Sequence, residues 1–186
     1  YGKGMILETS YKNIREFISF LEENNELIRI TEPVSWDLEI TEIVQRVFKQ
    51  EGPALLFENV ADSDMPVLIN GFGSRKRMSW ALGVEDLDEI GERITKLLSN
   101  VQGAPPGIFE KIGLLKELLS VARIGPKKTK TAPSQETVIL EDELDLMQLP
   151  ILKTWPLDGG RYITLPLVIT KDPETGVHNI GMYRMQ

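Results

Sequence analysis

The sequence predicts an α/β fold, and three observations predict it. In the first half of the chain, short apolar runs bounded by turn residues alternate with apolar stripes of helical period. Composition then shifts abruptly to Lys, Thr and Pro over residues 125–134, which marks a linker. Beyond the shift, apolar and other residues alternate one by one, as in a strand with one apolar face.

The elements follow in order. Ile14, Phe17, Ile18 and Leu21 fall at i, i+3, i+4 and i+7 within residues 11–24, the stripe of an amphipathic helix with Ser10 as cap and Asn24 and Asn25 at its end. Residues 26–30 alternate as a short strand. Pro33 breaks the pattern before a second helix over residues 37–49, striped by Ile40, Ile43, Val44 and Val47. Residues 54–57 and 66–70 are too short for helices and too apolar for loops, so both read as buried strands, with a surface turn at 61–64 between them.

Residues 70–74, NGFGS, lead into a helix beginning at Arg75. Glycines before a helix amino terminus can cradle an anion, and Arg75, Lys76 and Arg77 would add attraction. The spacing is neither a Walker nor a Rossmann loop, so the segment reads as a tight turn with Ser74 as helix cap. Leu87, Ile90, Ile94, Leu97 and Leu98 mark another helix; after Pro105 and Pro106, Ile112, Leu115, Leu118, Leu119 and Ala122 mark one more. The expected organisation is an amino-terminal α/β domain over 5–124, a linker over 125–136 and the start of a second domain over 137–186.

In the second region, residues 137–140 look like a strand and 141–145 like an acidic turn. Asp142, Glu143 and Asp145 could be offered as paired acid/base groups, but they read as surface carboxylates. A turn-rich WPLDGGRY segment then leads into the alternation of Ile163, Leu165, Leu167 and Ile169 with Thr164, Pro166, Val168 and Thr170. Asp172, Pro173 and Gly176 supply turn chemistry, and a return strand begins near Val177. Asn179 and Arg184 on that strand are costly to bury without partners. Either the strand is half exposed, or it lines a cavity holding an anion or a metal.

Composition excludes several functions. The 186 residues carry a net charge of −7, so nucleic acid is not an expected partner; the basic run at 127–130 reads as solvated linker. Cysteine is absent and His178 is the single histidine, which removes disulfides, thiolate chemistry and multi-histidine metal sites from this sequence. No apolar run approaches the ~20 residues of a membrane span and no secretory leader is visible, so a cytoplasmic location is expected. Residues 1–4 read as a remnant ahead of a natural start at Met5.

The run LPILKTWPLDGGRYITLPLVITKDPETGVHNIGMYRMQ closely resembles the UbiD family of decarboxylases, which use prenylated FMN. EPVSWDLEITEIVQRV, GPALLFENV and INGFGSRKRMSWALGV resemble the same family's amino-terminal domain, in the right order. The resemblance implies that the second domain is the beginning of a flavin-binding split β-barrel. It implies a reversible decarboxylase of aromatic or α,β-unsaturated acids, similar to 3-polyprenyl-4-hydroxybenzoate decarboxylase, in which substrate and cofactor form a transient covalent adduct. Asn179 matches the family's metal-ligating Asn, for which an oxygen ligand to Mn²⁺ or Mg²⁺ is apt. Arg184 matches its catalytic Arg, and Met182, Tyr183 and Arg184 match the stretch that touches the cofactor.

Further implications are K⁺ as a possible second ion, a flavin prenyltransferase as cofactor supplier, and a homo-oligomer when full length. In a regular strand, positions 179 and 184 face opposite ways, so a bulge or bend at Gly181 is expected to gather them. The sequence stops before the family's other metal ligands, a His and a Glu, and before its proton-handling Glu residues. His178 is not that His. The 186 residues alone are therefore expected to be inactive, as the amino-terminal portion of a longer enzyme. Two alternatives are a non-catalytic flavin- or phosphate-binding module and a subunit completed by a partner chain.

Overall fold

The computed structural model describes residues 11–102 and 130–186. Its elements are α1 (Ile14–Glu23), β1 (Leu27–Ile30), α2 (Glu39–Lys49), β2 (Ala54–Phe57), β3 (Val67–Ile69), α3 (Arg75–Leu82), α4 (Asp88–Gln102), β4 (Leu167–Lys171) and β5 (His178–Met182). The α/β reading holds. The stripe expected at residues 112–122, and residues 125–129 of the expected linker, lie outside the described residues.

A three-stranded sheet, ordered β1-β2-β3, organises the first region. β1 pairs with β2 in parallel and β2 with β3 antiparallel. All four residues of β2 are buried, and because successive side chains leave a strand on opposite faces they divide between two cores. Ala54 and Leu56 join Phe17 and Leu21 of α1, with Trp80 and Ala81 of α3 against them. Leu55 and Phe57 join Val34, Ile40 and Val60, with Ile43, Val44 and Val47 of α2 against them. Helices thus cover both faces of a sheet whose central strand is apolar throughout.

Helix ends follow local chemistry. Asn13, not Ser10, caps α1: its side-chain oxygen accepts from the N–H groups of Arg15 and Glu16, so the helix begins at Ile14, the first residue of the apolar stripe, and not at residue 11. α2 starts after Leu38, whose φ of 66° lies in the left-handed region. Ser74 caps α3 as expected and Gly83, at φ 65°, ends it.

The NGFGS segment is a structural turn. Asn70 donates to the carbonyls of Gly52 and Pro53 at 3.2 and 2.8 Å. Arg77, only 1% exposed, donates to the Asn70 carbonyl at 3.2 Å and to Glu26 Oε2 at 2.6 Å, while Lys76 Nζ reaches Glu26 Oε1 at 2.8 Å. Two of the three basic residues proposed to attract an anion are therefore committed to one carboxylate.

The chain does not partition linearly. Described residues of Tyr1–Gly83 and Asp145–Gln186 form one compact unit, and those of Val84–Leu144 a second. In the first unit, Lys153 bridges to Asp37 in parallel, with Leu38 N–H donating to the Lys153 carbonyl and Lys153 N–H to that of Trp36, each at 3.2 Å. Leu152 packs on the core built around Ile40 and Phe57. These contacts make the compact units cut the chain at points other than the sequence-domain bounds of 124 and 137.

In the second unit, α4 starts where Glu89 accepts from the N–H groups of Glu85 and Asp86, at 3.1 and 3.0 Å. Residues 137–140, expected as a strand, pair with nothing among the described residues and expose Val138, Ile139 and Leu140. Their apolar run has strand composition but no neighbour to complete a ladder. The Asp142 and Glu143 side chains are exposed, as is Asp145, which accepts from Met147 N–H at 2.8 Å. Among the described residues, no helix is long and apolar enough to cross a membrane.

Candidate functional site

The WPLDGGRY segment is a closed loop built around Asp158. Asp158 Oδ2 accepts from Thr154 Oγ1 at 3.0 Å and Trp155 N–H at 3.1 Å, while its own N–H donates to the Trp155 carbonyl at 3.0 Å. Tyr162 N–H closes the loop on the Leu152 carbonyl at 3.0 Å. Gln186 packs closely over Gly159: a Cβ there would lie 3.0 Å from the Gln186 amide nitrogen, which would have to shift. Arg161 then lies flat over Trp36, 3.4 Å from the ring centroid, and donates through Nη1 to the Met147 carbonyl at 3.0 Å.

After the loop, β4 and β5 form the expected hairpin. Asp172 Oδ1 accepts from Glu174 and Thr175 N–H groups at 2.8 Å each, and Gly176 takes φ 72°. Hydrogen bonds from those N–H groups hold the Asp172 carboxyl below the usual range. The pairs Leu167↔Met182 and Ile169↔Ile180 place four apolar side chains on one face, and all four are exposed.

Gly181 is not the bend. It pairs regularly with Val168, and the Tyr183 ring folds over it, which a side chain at 181 would obstruct: a Cβ there would lie 2.8 Å from the Tyr183 Cζ. The ladder breaks after Met182. Between Leu167↔Met182 and the next bridge, Ile163↔Met185, residues 164–166 face only 183–184. The extra residue is on the first strand, where Pro166 has no N–H to donate.

This break decides where the candidate residues lie. Asn179 Nδ2 donates to the Tyr183 hydroxyl at 3.4 Å, and among the described residues Oδ1 has no hydrogen-bond partner. Arg184 turns to the WPLDGGRY loop, with Nη2 at 3.0 Å from both Asp158 oxygens and the guanidinium carbon 3.7 Å from the Tyr162 ring centroid. Tyr162 in turn donates its hydroxyl to Gln186 Oε1 at 3.2 Å. Asn179 and Arg184 thus flank Tyr183 but engage different groups; no contact joins them. Met182 and Tyr183 are 65% and 53% exposed.

Electrostatics centre on Asp158, whose side chain is 13% exposed against 47% for Arg184. Burial works to raise the Asp158 carboxyl, but the Arg184 and Thr154 hydrogen bonds, the Arg184 charge and the Trp155 N–H outweigh it and hold it below the usual range. Sequence reasoning missed Asp158. Its signal was a single acid in a segment of turn residues, four positions after a hydroxyl able to fix it.

The donor set admits only part of a metal site. Among the described residues no three His, Cys, Asp or Glu side chains gather, so Asn179 Oδ1 would contribute one oxygen and other ligands must come from elsewhere. The cavities described are lined by residues along α4, by residues 59–65 with Gln148, and by residues along α1; neither Met182 nor Tyr183 lines any of them. Chemically, the arrangement offers a fixed guanidinium, an open amide oxygen and an uncovered strand pair.

Comparison with known proteins gives a consistent result. Residues 18–94 match the 3-octaprenyl-4-hydroxybenzoate carboxy-lyase N-terminal domain of UbiD, and residues 126–186 match its Rift-related domain. An uncharacterized protein of Aquifex aeolicus is 48% identical over 178 residues, which are 95% of this chain and 36% of that protein. One from Archaeoglobus fulgidus is also 48% identical, over 95% of this chain and 35% of its own length. Among solved structures, an evolved dimeric form of the UbiD-class enzyme HmfF from Pelotomaculum thermopropionicum, in complex with prFMN, aligns with a TM-score of 0.67 at 27% identity, covering 93% of this chain and 35% of that one. Vanillic acid decarboxylase of Sedimentibacter hydroxybenzoicus, in closed form, aligns with a TM-score of 0.68 at 26% identity over 95% and 35%. The chain spans about a third of the length of these relatives.

Proposed function

The chain belongs to the UbiD family, and from that membership we propose that the protein containing it is a reversible carboxy-lyase for aromatic or α,β-unsaturated carboxylic acids that works with prenylated FMN. The observation that carries this reading is the arrangement of the N-x-G-x-Y-R segment: an amide oxygen left open at Asn179, and a guanidinium held yet half exposed at Arg184. The cofactor, when bound, accepts the electron pair left as CO₂ departs, which side chains alone cannot do.

The family resemblance assigns the residue roles, and the chemistry of the residues suits them. Asn179 Oδ1 is a hard oxygen donor that would hold a divalent ion such as Mn²⁺ beside the cofactor, with K⁺ as a second ion. Arg184 orients the substrate carboxylate through charge-assisted hydrogen bonds that a lysine would not reproduce. Met182, at the end of β5, and Tyr183 after it would line the cofactor. Vanillic acid decarboxylase among the similar structures favours an aromatic acid, and the family description favours likeness to polyprenyl-hydroxybenzoate decarboxylases. A flavin prenyltransferase would supply the cofactor to a cytoplasmic homo-oligomer.

The test is cofactor retention. In the full-length protein, co-produced with a flavin prenyltransferase, Asn179→Ala should lower metal affinity about 10–100-fold and reduce bound flavin with it. Metal and flavin contents equal to those of the parent protein would contradict the assignment.

A further inference from the structure

We propose that Asp158 and Tyr162 are positioning residues for Arg184, a tether that fixes the guanidinium so that its remaining N–H groups meet a substrate carboxylate. The inference rests on the reading of Arg184 as the carboxylate-binding side chain. Three observations carry it. Both Asp158 oxygens contact only Nη2, at 3.0 Å, so among the described residues Nε and Nη1 have no hydrogen-bond partner. The Tyr162 ring lies 3.7 Å from the guanidinium carbon and restricts its tilt. Asp158 does not itself move freely, because Thr154 Oγ1 and Trp155 N–H hold Oδ2 at 3.0 and 3.1 Å.

The tether acts through order. A free arginine loses much rotamer freedom when it grips a ligand; one already held by a carboxylate and a ring has lost it beforehand. The acid is the less exposed partner, at 13% against 47% for the arginine, so the constraint is on the loop side. Asp158 also carries a charge opposite to Arg184, and charge alone would weaken anion binding. Tethering and neutralisation therefore give effects of opposite sign.

That difference in sign makes the experiment. In the full-length protein with its flavin bound, equilibrium dissociation constants are measured for benzoate, an unreactive aromatic carboxylate, and for benzamide, its neutral counterpart. Asp158→Asn should weaken benzoate about 10-fold and leave benzamide and flavin content unchanged; Asp158→Glu should restore part of the loss. In an Arg184→Lys background the Asn substitution should cost nothing further, because a residue acting through another has no separate effect.

Tighter or unchanged benzoate binding in Asp158→Asn, with Arg184→Lys weakened, would overturn the tether and leave the Arg184 assignment standing. Equal losses for benzoate and benzamide, or losses additive with Arg184→Lys, would also overturn it. Benzoate binding unaffected by Arg184→Lys would overturn the reading on which it rests. If Asp158→Asn does not fold, Tyr162→Phe against Tyr162→Leu decides: loss in the leucine variant alone is expected, and equal binding by both overturns the tether.

Discussion

Arg161 lies 3.4 Å above the ring of Trp36, a contact between the loop that holds Asp158 and the segment leading into α2. A guanidinium stacked on indole in a partly buried setting contributes about 0.5–2 kcal/mol. Trp36 also donates to Asp62 Oδ2 at 3.3 Å, so the ring is held from its edge as well as its face. Trp36→Phe, which keeps an aromatic face, should lose less stability than Trp36→Leu, for which about 1–3 kcal/mol is expected. Thermal unfolding with limited proteolysis of residues 145–161 measures it; equal stability of the two variants would contradict a stacking role.

The Glu26–Arg77 pair should make stability pH-dependent. Burial works to raise the Glu26 carboxyl, but hydrogen bonds and charge from Lys76 and Arg77 outweigh it, so it sits below the ordinary range. A depressed carboxyl stabilises the fold above the unfolded value of about 4.3, and that contribution is lost as pH falls through the folded value. Denaturant midpoints should therefore fall with acidification below that point more steeply in the parent than in Glu26→Gln. At neutral pH, Glu26→Ala should cost about 3 kcal/mol, the low end for breaking a buried pair, because it strands a guanidinium that is 1% exposed. A Glu26→Ala protein as stable as the parent would contradict it.

Much of this architecture was legible because it depends on neighbours in sequence. The four apolar residues of β2, the Ser74 cap and the Asp172–Gly176 turn each declare themselves within a few positions. Other features depend on distant partners. Arg161 and Trp36 are far apart in sequence, and nothing near Asp158 announces Arg184. The bend after Met182 was misplaced at Gly181 because a glycine suggests a bulge on its own strand, whereas the extra residue sits opposite, beside Pro166. The run at 137–140 shows the same limit: its composition suits a strand, but a strand needs a partner.

The 186 residues by themselves, mixed with prenylated flavin, Mn²⁺ and unsaturated or aromatic acids, should release no CO₂ above the protein-free rate. Among the described residues, one open amide oxygen and one tethered guanidinium are the matched groups, and no acid cluster accompanies them. Groups that act as a unit lose most of their effect when one is missing. Among the described residues the apolar face of Leu167, Ile169, Ile180 and Met182 is also uncovered, so none of them excludes water from a reacting centre there. Turnover by the purified chain, checked by mass spectrometry for contaminating longer enzyme, would contradict this.

Decarboxylation is tested most directly by CO₂ release from the full-length protein. Flavin-loaded protein, prepared with a prenyltransferase, is offered a panel of aromatic and α,β-unsaturated acids beside its Arg184→Lys variant at matched flavin content. The expected result is CO₂ release from at least one acid, lowered about 100-fold in the variant through loss of substrate orientation. No release from any acid by fully loaded protein, or an Arg184→Lys variant as active as its parent, would contradict the account.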